Sequence, residues 1–192
     1  NLLNYSPVDI IMHKDSELSD FMRAKIDKVI ARLIEKEPIQ YIFGETYFYG
    51  HKFAVTPDTL IPRPETQELI DLIVKDNQQS DLRVLDIGTG SGCIAISLAL
   101  ALRFPAVEAI DISDKALEMA KENAKSLRAN VNFAKQDILA ITFPASPQYD
   151  IIVSNPPYIC EKEKPSIDKN VLDYEPHTAL FVPDDNPLLF YR

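Results

Sequence analysis

The stretch IIVSNPPYI, Ile151 to Ile159, joins a run of β-formers to residues whose types suggest chemistry. Ile151, Ile152 and Val153 read as a buried strand, and Ser154-Asn155-Pro156-Pro157-Tyr158 stops it. Asn155 offers a carbonyl acceptor, and Pro156 a backbone carbonyl with no N–H donor of its own beside it. Together they make an acceptor-only socket that receives two hydrogen bonds from a planar –NH2 group. Tyr158 supplies a flat wall on which an amide or a base can stack, and an aromatic face tolerates a nearby positive charge. A rigid strand-terminating loop is the plain structural alternative.

Upstream, VLDIGTGSG puts Asp86 at the end of a strand and glycines at 88, 90 and 92, with Thr89 and Ser91 between them. Glycines here let the backbone turn tightly and come close to a ligand. The spacing is G-x-G-x-G, not the G-x-G-x-x-G of dinucleotide folds, which favours S-adenosylmethionine over NAD. A purely structural turn is the alternative. Asp111, in IDIS, falls at the end of the next strand, where an acid accepts both hydroxyls of a ribose. Helix capping is the competing role for Asp111, but Ser113 and Asp114 are better placed for it. Asp137, in KQDIL, is expected to accept from an adenine amino group while Ile138 covers the ring; a surface loop acid is the alternative. On this reading Asn155 and Pro156 hold an amino nitrogen against the sulfonium methyl for in-line transfer. His13, His51 and His177 are scattered without a partner at catalytic spacing, and Cys93 reads as a small buried residue and not a nucleophile.

The elements that must position these residues follow from periodicity. Leu18, Phe21, Met22, Ile26, Val29, Ile30, Leu33 and Ile34 recur at helical spacing between Asp15 and Lys36, with Asp15 and Ser16 as expected caps and a packing face as the plain role. Residues 37–66 are aromatic, β-branched and turn-rich, with Gly44 and Gly50 as turn positions, and predict a β-hairpin connector. Helix returns over 65–75. Strands are then predicted at 83–88, 107–112, 131–137 and 149–155, with helices CIAISLALAL and DKALEMAKENAKSL between the first three. Alternating strands and helices give an α/β fold, a doubly wound, Rossmann-like parallel sheet whose ligands sit beyond the carboxyl ends of the strands. The expected organisation is a remnant of a helical domain at 1–36, the connector at 37–64, and a cofactor-binding domain at 65–192.

The chain has 192 residues, 46% hydrophobic and 26% charged, ordinary for a soluble globular protein. No apolar run reaches the roughly 20 residues of a membrane span, and no signal peptide precedes the first helix, so no membrane partner is expected. Cys93 and Cys160 give neither a disulfide framework nor metal spacing, so no metal is expected and the cytoplasm is the default setting. A net charge of −9 argues against a broad nucleic-acid footprint and for a protein or small-molecule partner. Beginning at Asn1 and closing on NPLLFYR, an apolar, helix-like opening, the chain reads as a piece of a longer protein.

The segments EPIQYIFGETYFYGHKFAVTPDTLIPRPET, VLDIGTGSGCIAISLA, IDISDKALEMAKENA, IVSNPPYI and YEPHTALF together resemble the release factor glutamine methyltransferases, the HemK/PrmC family. The likeness runs from about Glu37 to the end, and the N-terminal helix is similar to the last part of that family's small helical domain. NPPY alone is shared with amino-methylating DNA enzymes; NPPY with QYI-x-G and LIPRPET is far more specific. The resemblance implies a class I methyltransferase sheet, S-adenosylmethionine as cofactor and S-adenosylhomocysteine as product. It implies methyl transfer to the side-chain amide of the glutamine in the Gly-Gly-Gln loop of class 1 peptide chain release factors. It carries cofactor roles onto Gly88, Thr89, Gly90, Ser91, Gly92, Asp111 and Asn155, and substrate binding onto Asn155, Pro156, Pro157 and Tyr158. Asn155, Pro156 and Tyr158 are the expected catalytic residues. A monomer with no stable nucleic acid is expected.

Two positions depart from the family pattern: Gln67 follows Thr66 where an acid is usual, and Ile138 stands where some members carry an aromatic residue. A complete sheet of this kind has seven strands, against four read here, so the expected sheet is incomplete at its C-terminal side. The competing readings are an amino-methyltransferase acting on a nucleic-acid base and a non-catalytic S-adenosylmethionine-binding fragment. An NAD oxidoreductase is disfavoured by the glycine spacing.

Overall fold

The computed structural model describes residues 6–14, 16–142 and 148–191. A short helix α1 (Pro7–Met12), which the periodicity did not announce, is followed by α2 (Asp20–Ile34). The expected cap Ser16 is not the one used. Ser19 caps α2, its hydroxyl accepting from Met22 N at 3.3 Å, and Asp15 lies outside the described residues. No residue of α2 is fully buried: Met22, Ile26 and Val29 are half-buried, whereas Phe21 and Ile34 are 76% and 71% exposed.

The aromatic segment after α2 is not all strand. Pro38 opens a one-turn helix α3 (Ile39–Phe43), and Gly44 closes it with φ +71. Tyr41 turns inward and donates its hydroxyl to Thr59 O at 2.6 Å, a long-range contact that overrides the β-like composition. The predicted hairpin then forms from β1 (Glu45–Phe48) and β2 (His51–Ala54), antiparallel with Phe48 opposite His51. Tyr49 and Gly50, at φ +48 and +75, make the two-residue turn whose twist matches that of the strands. Tyr49 N donates to Gln67 Oε1 and its hydroxyl to Asp71, pinning the hairpin tip to α4 (Thr66–Asp76).

The main domain is a four-stranded parallel sheet. Its strands are β3 (Arg83–Ile87), β4 (Ala106–Asp111), β5 (Val131–Lys135) and β6 (Ile151–Ser154), in spatial order β5-β4-β3-β6. Helices α5 (Cys93–Ala101) and α6 (Asp114–Leu127) make the crossovers on either side of β4. Ser113 caps α6, its hydroxyl accepting from Ala116 N at 3.2 Å, as expected. Val84, Leu85 and Asp86 of central β3 are all buried, as are Ile94 to Leu98 of α5. Val84, Ile94, Ala95, Ile96 and Leu98 join Phe48, Phe53 and Ile70 in one core, in which each large apolar side chain is worth ~1.5–3 kcal/mol of burial. The hairpin therefore packs on the sheet domain.

β5 and β6 are shorter than predicted. β5 stops at Lys135 because Asp137 caps a 3-10 turn (Ile138–Ala140), accepting from Leu139 N at 2.9 Å. β6 begins only at Ile151 because the Asp150 carboxylate is engaged by Arg83, through its N–H at 2.8 Å and its guanidinium. Beyond the sheet, β7 (Ile159–Cys160) and β8 (Phe181–Val182) pair in parallel, with the short α7 (Lys169–Leu172) between them. The expected helix opening at NPLLFYR is a set of turns, with Leu189 N bonded to Asn186 O and Tyr191 N to Leu188 O. No described helix is long and apolar enough to cross a membrane.

Candidate active site

The carboxyl ends of all four strands open on one cleft of about 400 Å3, within the usual range of ligand pockets (~300–1,000 Å3). Its floor is the loop after β3. Gly88 N and Thr89 N both donate to Ile110 O of β4, at 2.9 and 3.0 Å, and Gly90 N donates to Asp111 Oδ2 at 2.9 Å. Gly88, Gly90 and Gly92 all have positive φ. At 88 and 90 a Cβ would meet no atom within 4 Å, so the backbone there is open to a ligand. At 92 a Cβ would lie 2.9 Å from Ile96 Cδ1 and 3.1 Å from Ala120 Cβ, so this glycine is required by packing.

Beneath the loop, Asp86 is fully buried. Its Oδ2 accepts from the Thr89 hydroxyl at 2.7 Å and from Ala95 N at 3.2 Å. Its Oδ1 has no partner among the described residues. Burial pushes this carboxyl up to about 6, against the two hydrogen bonds that favour the ionised form. Cys93, at the start of α5, is half-buried in the cleft lining, and desolvation with the neighbouring Asp86 pushes its thiol up to about 12, which disfavours the thiolate that nucleophilic chemistry needs. Among the described residues no group of three or more His, Cys, Asp or Glu could hold a metal.

Asp111, Asp137 and Ile138 all line the cleft. Asp111 ends β4, with Oδ1 accepting from Ser113 N and Oδ2 from Gly90 N, each at 2.9 Å. Each of these oxygens retains a lone pair for a ribose hydroxyl. Asp137 uses Oδ1 as the cap already described. Of the socket residues, Asn155, Pro156 and Pro157 are half-buried in the same cleft. Tyr158 is 61% exposed and faces elsewhere, into a second cleft of about 320 Å3 with Leu60, Ile167 and Val171. Asn155 and Pro156 line both clefts and so form the wall between them. Among the described residues neither the Asn155 side chain nor the Pro156 carbonyl has a hydrogen-bonding partner.

Several residues of the site had no role in the sequence reading. Glu175, its side chain 2% exposed, accepts from Ile61 N at 3.3 Å and pairs with Arg63 at 2.7 Å. This ties the loop 59–63, one wall of the cleft, to the segment that brings Thr178, Ala179 and Phe181 over it. The quoted segments LIPRPET and YEPHTALF hold both partners, so the signal was present without a mechanism. Asn123 of α6 is buried as well, bonded to Ala54 and Ser91. Its signal was an amide on the apolar stripe of Ala116, Ala120 and Ala124. Gln67, the departure from the family pattern, accepts a backbone N–H, which a carboxylate would do equally well.

The pattern of the family described as methyltransferase small domain matches residues 65–174, more than half of the chain. That of the PrmC N-terminal domain matches 1–44. The release factor glutamine methyltransferase of Bacteroides thetaiotaomicron is 52% identical over 192 residues, all of this chain and 69% of its own. The chain belongs to the release factor glutamine methyltransferase family. The relative of that name from Flavobacterium psychrophilum is 50% identical over 96% of this chain and 66% of its own length. This family member thus spans about two thirds of these relatives. Among solved structures, the magnesium protoporphyrin IX methyltransferase of Synechocystis PCC 6803 with bound SAH covers 52% of this chain and 42% of its own. At 24% identity and a TM-score of 0.41, that overlay is too loose to add to the assignment.

Proposed function

We propose that this methyltransferase moves the methyl group of S-adenosylmethionine to the side-chain amide nitrogen of the Gly-Gly-Gln glutamine in class 1 peptide chain release factors. The residues present fit the cofactor: an open glycine backbone at 88 and 90 admits close approach, and Asp111 keeps acceptor capacity at the end of β4. Asp111 would hold the ribose and Ile138 the adenine face, with Asp137 accepting from the adenine amino group. Arg63 is the one cation lining the cleft among the described residues; one guanidinium nitrogen is paired with Glu175, and its remaining N–H groups would meet the cofactor's carboxylate. The bound cofactor supplies an electrophilic methyl on a sulfonium.

The observation that carries this reading is the wall formed by Asn155 and Pro156 between the two clefts. An amide nitrogen is a poor nucleophile, because its lone pair is delocalised into the carbonyl. Two hydrogen bonds from the –NH2 group to Asn155 Oδ1 and the Pro156 carbonyl would fix its plane and raise electron density on nitrogen. Tyr158 and Leu60 would cover the glutamine stem from the second cleft, excluding water from the amide. The transfer would exchange the cofactor's sulfur–methyl bond for a nitrogen–methyl bond, releasing S-adenosylhomocysteine and passing one amide proton to bulk water. Positioning of this kind supplies up to roughly 7–11 kcal/mol of a barrier.

The test gives the full-length protein labelled S-adenosylmethionine, a purified release factor and that factor's Gln→Ala loop variant. Label on the wild-type factor alone supports the reading. Label entering DNA or RNA, and not protein, promotes the base methyltransferase in its place.

A further inference from the structure

Asn123 is 2% exposed, on the face of α6 that it shares with the buried Ala116, Ala120 and Ala124. A residue needed only for packing there would be apolar, since a buried amide is costly unless fully bonded. It is well bonded. Oδ1 accepts from Ala54 N at 2.7 Å, and Nδ2 donates to Ala54 O at 3.0 Å and to Ser91 O at 2.9 Å. The amide thus treats Ala54, the last residue of β2, as a neighbouring strand would, and spends its second N–H on the glycine loop.

These two partners lead to different parts of the cleft, a wall and the floor. The chain leaves Ala54 for Asp58, Thr59 and Leu60, which line one side, and Ser91 lies within the floor. Among the described residues no other side chain hydrogen-bonds both segments. Asn123 itself is not on the lining, so it acts through what it holds. We propose that Asn123 is a positioning residue of the cofactor site, setting the separation of the 55–60 wall from the glycine loop. This rests on the cleft being the S-adenosylmethionine site.

The test uses the full chain, with S-adenosylhomocysteine as probe in calorimetry and hydrogen exchange as a second readout. Asn123→Ala should raise the Kd about ten-fold, the size of one well-formed hydrogen bond. Exchange protection should fall together in peptides from the β2 exit and the glycine loop. The KM for release factor, at saturating methyl donor, should not change. Ile70→Val, a core truncation off the cleft lining, should lower Tm and leave the Kd alone. If Asn123→Ala does not fold, Asn123→Ser, which keeps one donor, is measured in the same way. An Asn123 variant that loses Tm as Ile70→Val does, with its Kd within two-fold of wild type, overturns the role. A wild-type chain that fails to bind S-adenosylhomocysteine overturns the cofactor reading and this role with it.

Discussion

The Thr89 hydroxyl donates to Asp86 Oδ2 at 2.7 Å, while the other oxygen of the same buried carboxylate has no partner among the described residues. Half-satisfied burial is what raises this acid from 3.8 to about 6. Its proton is therefore held more tightly in the folded chain than in the unfolded one. The contribution to stability is complete below about pH 4 and is lost as pH rises through 6. At 1.36 kcal/mol per pKa unit the swing is about 3 kcal/mol. Asp86→Asn cannot titrate, so its stability relative to wild type should improve by about that amount between pH 4 and 7. Denaturant unfolding of both proteins across this range checks it; parallel curves would place the titrating group elsewhere.

Gly92 and Gly88 share a positive φ but not an environment. Alanine at 88 bears only the cost of the left-handed backbone, ~1–2 kcal/mol. Alanine at 92 adds overlap with Ala120, whose backbone Cα would sit 3.3 Å from the new Cβ and cannot swing away. Gly92→Ala should therefore lose ~2–4 kcal/mol, clearly more than Gly88→Ala. The two midpoints in one denaturant titration decide the order.

How much of this was legible in the sequence depended on how local the signal was. The bounds of α6 follow from Ser113 and the apolar stripe, and the existence and order of the four strands from short β-branched runs, whereas β5 ends two residues early because Asp137 caps the turn that follows. Asp111 and Asn155 fall at strand ends, where a parallel sheet places its ligands, so their positions came with the topology. Residues 39–43 were misread because aromatic and β-branched side chains look like strand, whereas the buried Tyr41 and Gly44 set a helical turn. Glu175 and Asn123 could not be found in the same way. Their partners lie 114 and 69 residues away, and a buried acid or amide shows itself only once those partners are in place.

Asn155→Ala tests the socket directly. The side chain has no structural hydrogen bond among the described residues, so its removal should leave the unfolding free energy within about 0.5 kcal/mol of wild type. S-adenosylhomocysteine should bind within a few-fold. Turnover on release factor should fall by roughly 10²–10³, the usual cost of one group that orients the reacting atoms. Equal losses in cofactor affinity and kcat would assign Asn155 to the cofactor and not to the acceptor amide.

Arg63 and Glu175 should behave as a coupled pair. Glu175 is almost wholly enclosed, whereas a third of the Arg63 side chain is exposed. Arg63→Met leaves the enclosed carboxylate with only the Ile61 N–H and should cost ~3 kcal/mol or more. Glu175→Gln keeps an acceptor for that N–H but gives up the charge opposite the guanidinium. With both changes no uncompensated charge remains, so the double variant should be more stable than the sum of single losses implies, by ~1–3 kcal/mol. A double-mutant cycle in denaturant measures that coupling. Strict additivity would mean that the link between the loop 59–63 and the segment covering the cleft is carried by packing, and that the ion pair is incidental to it.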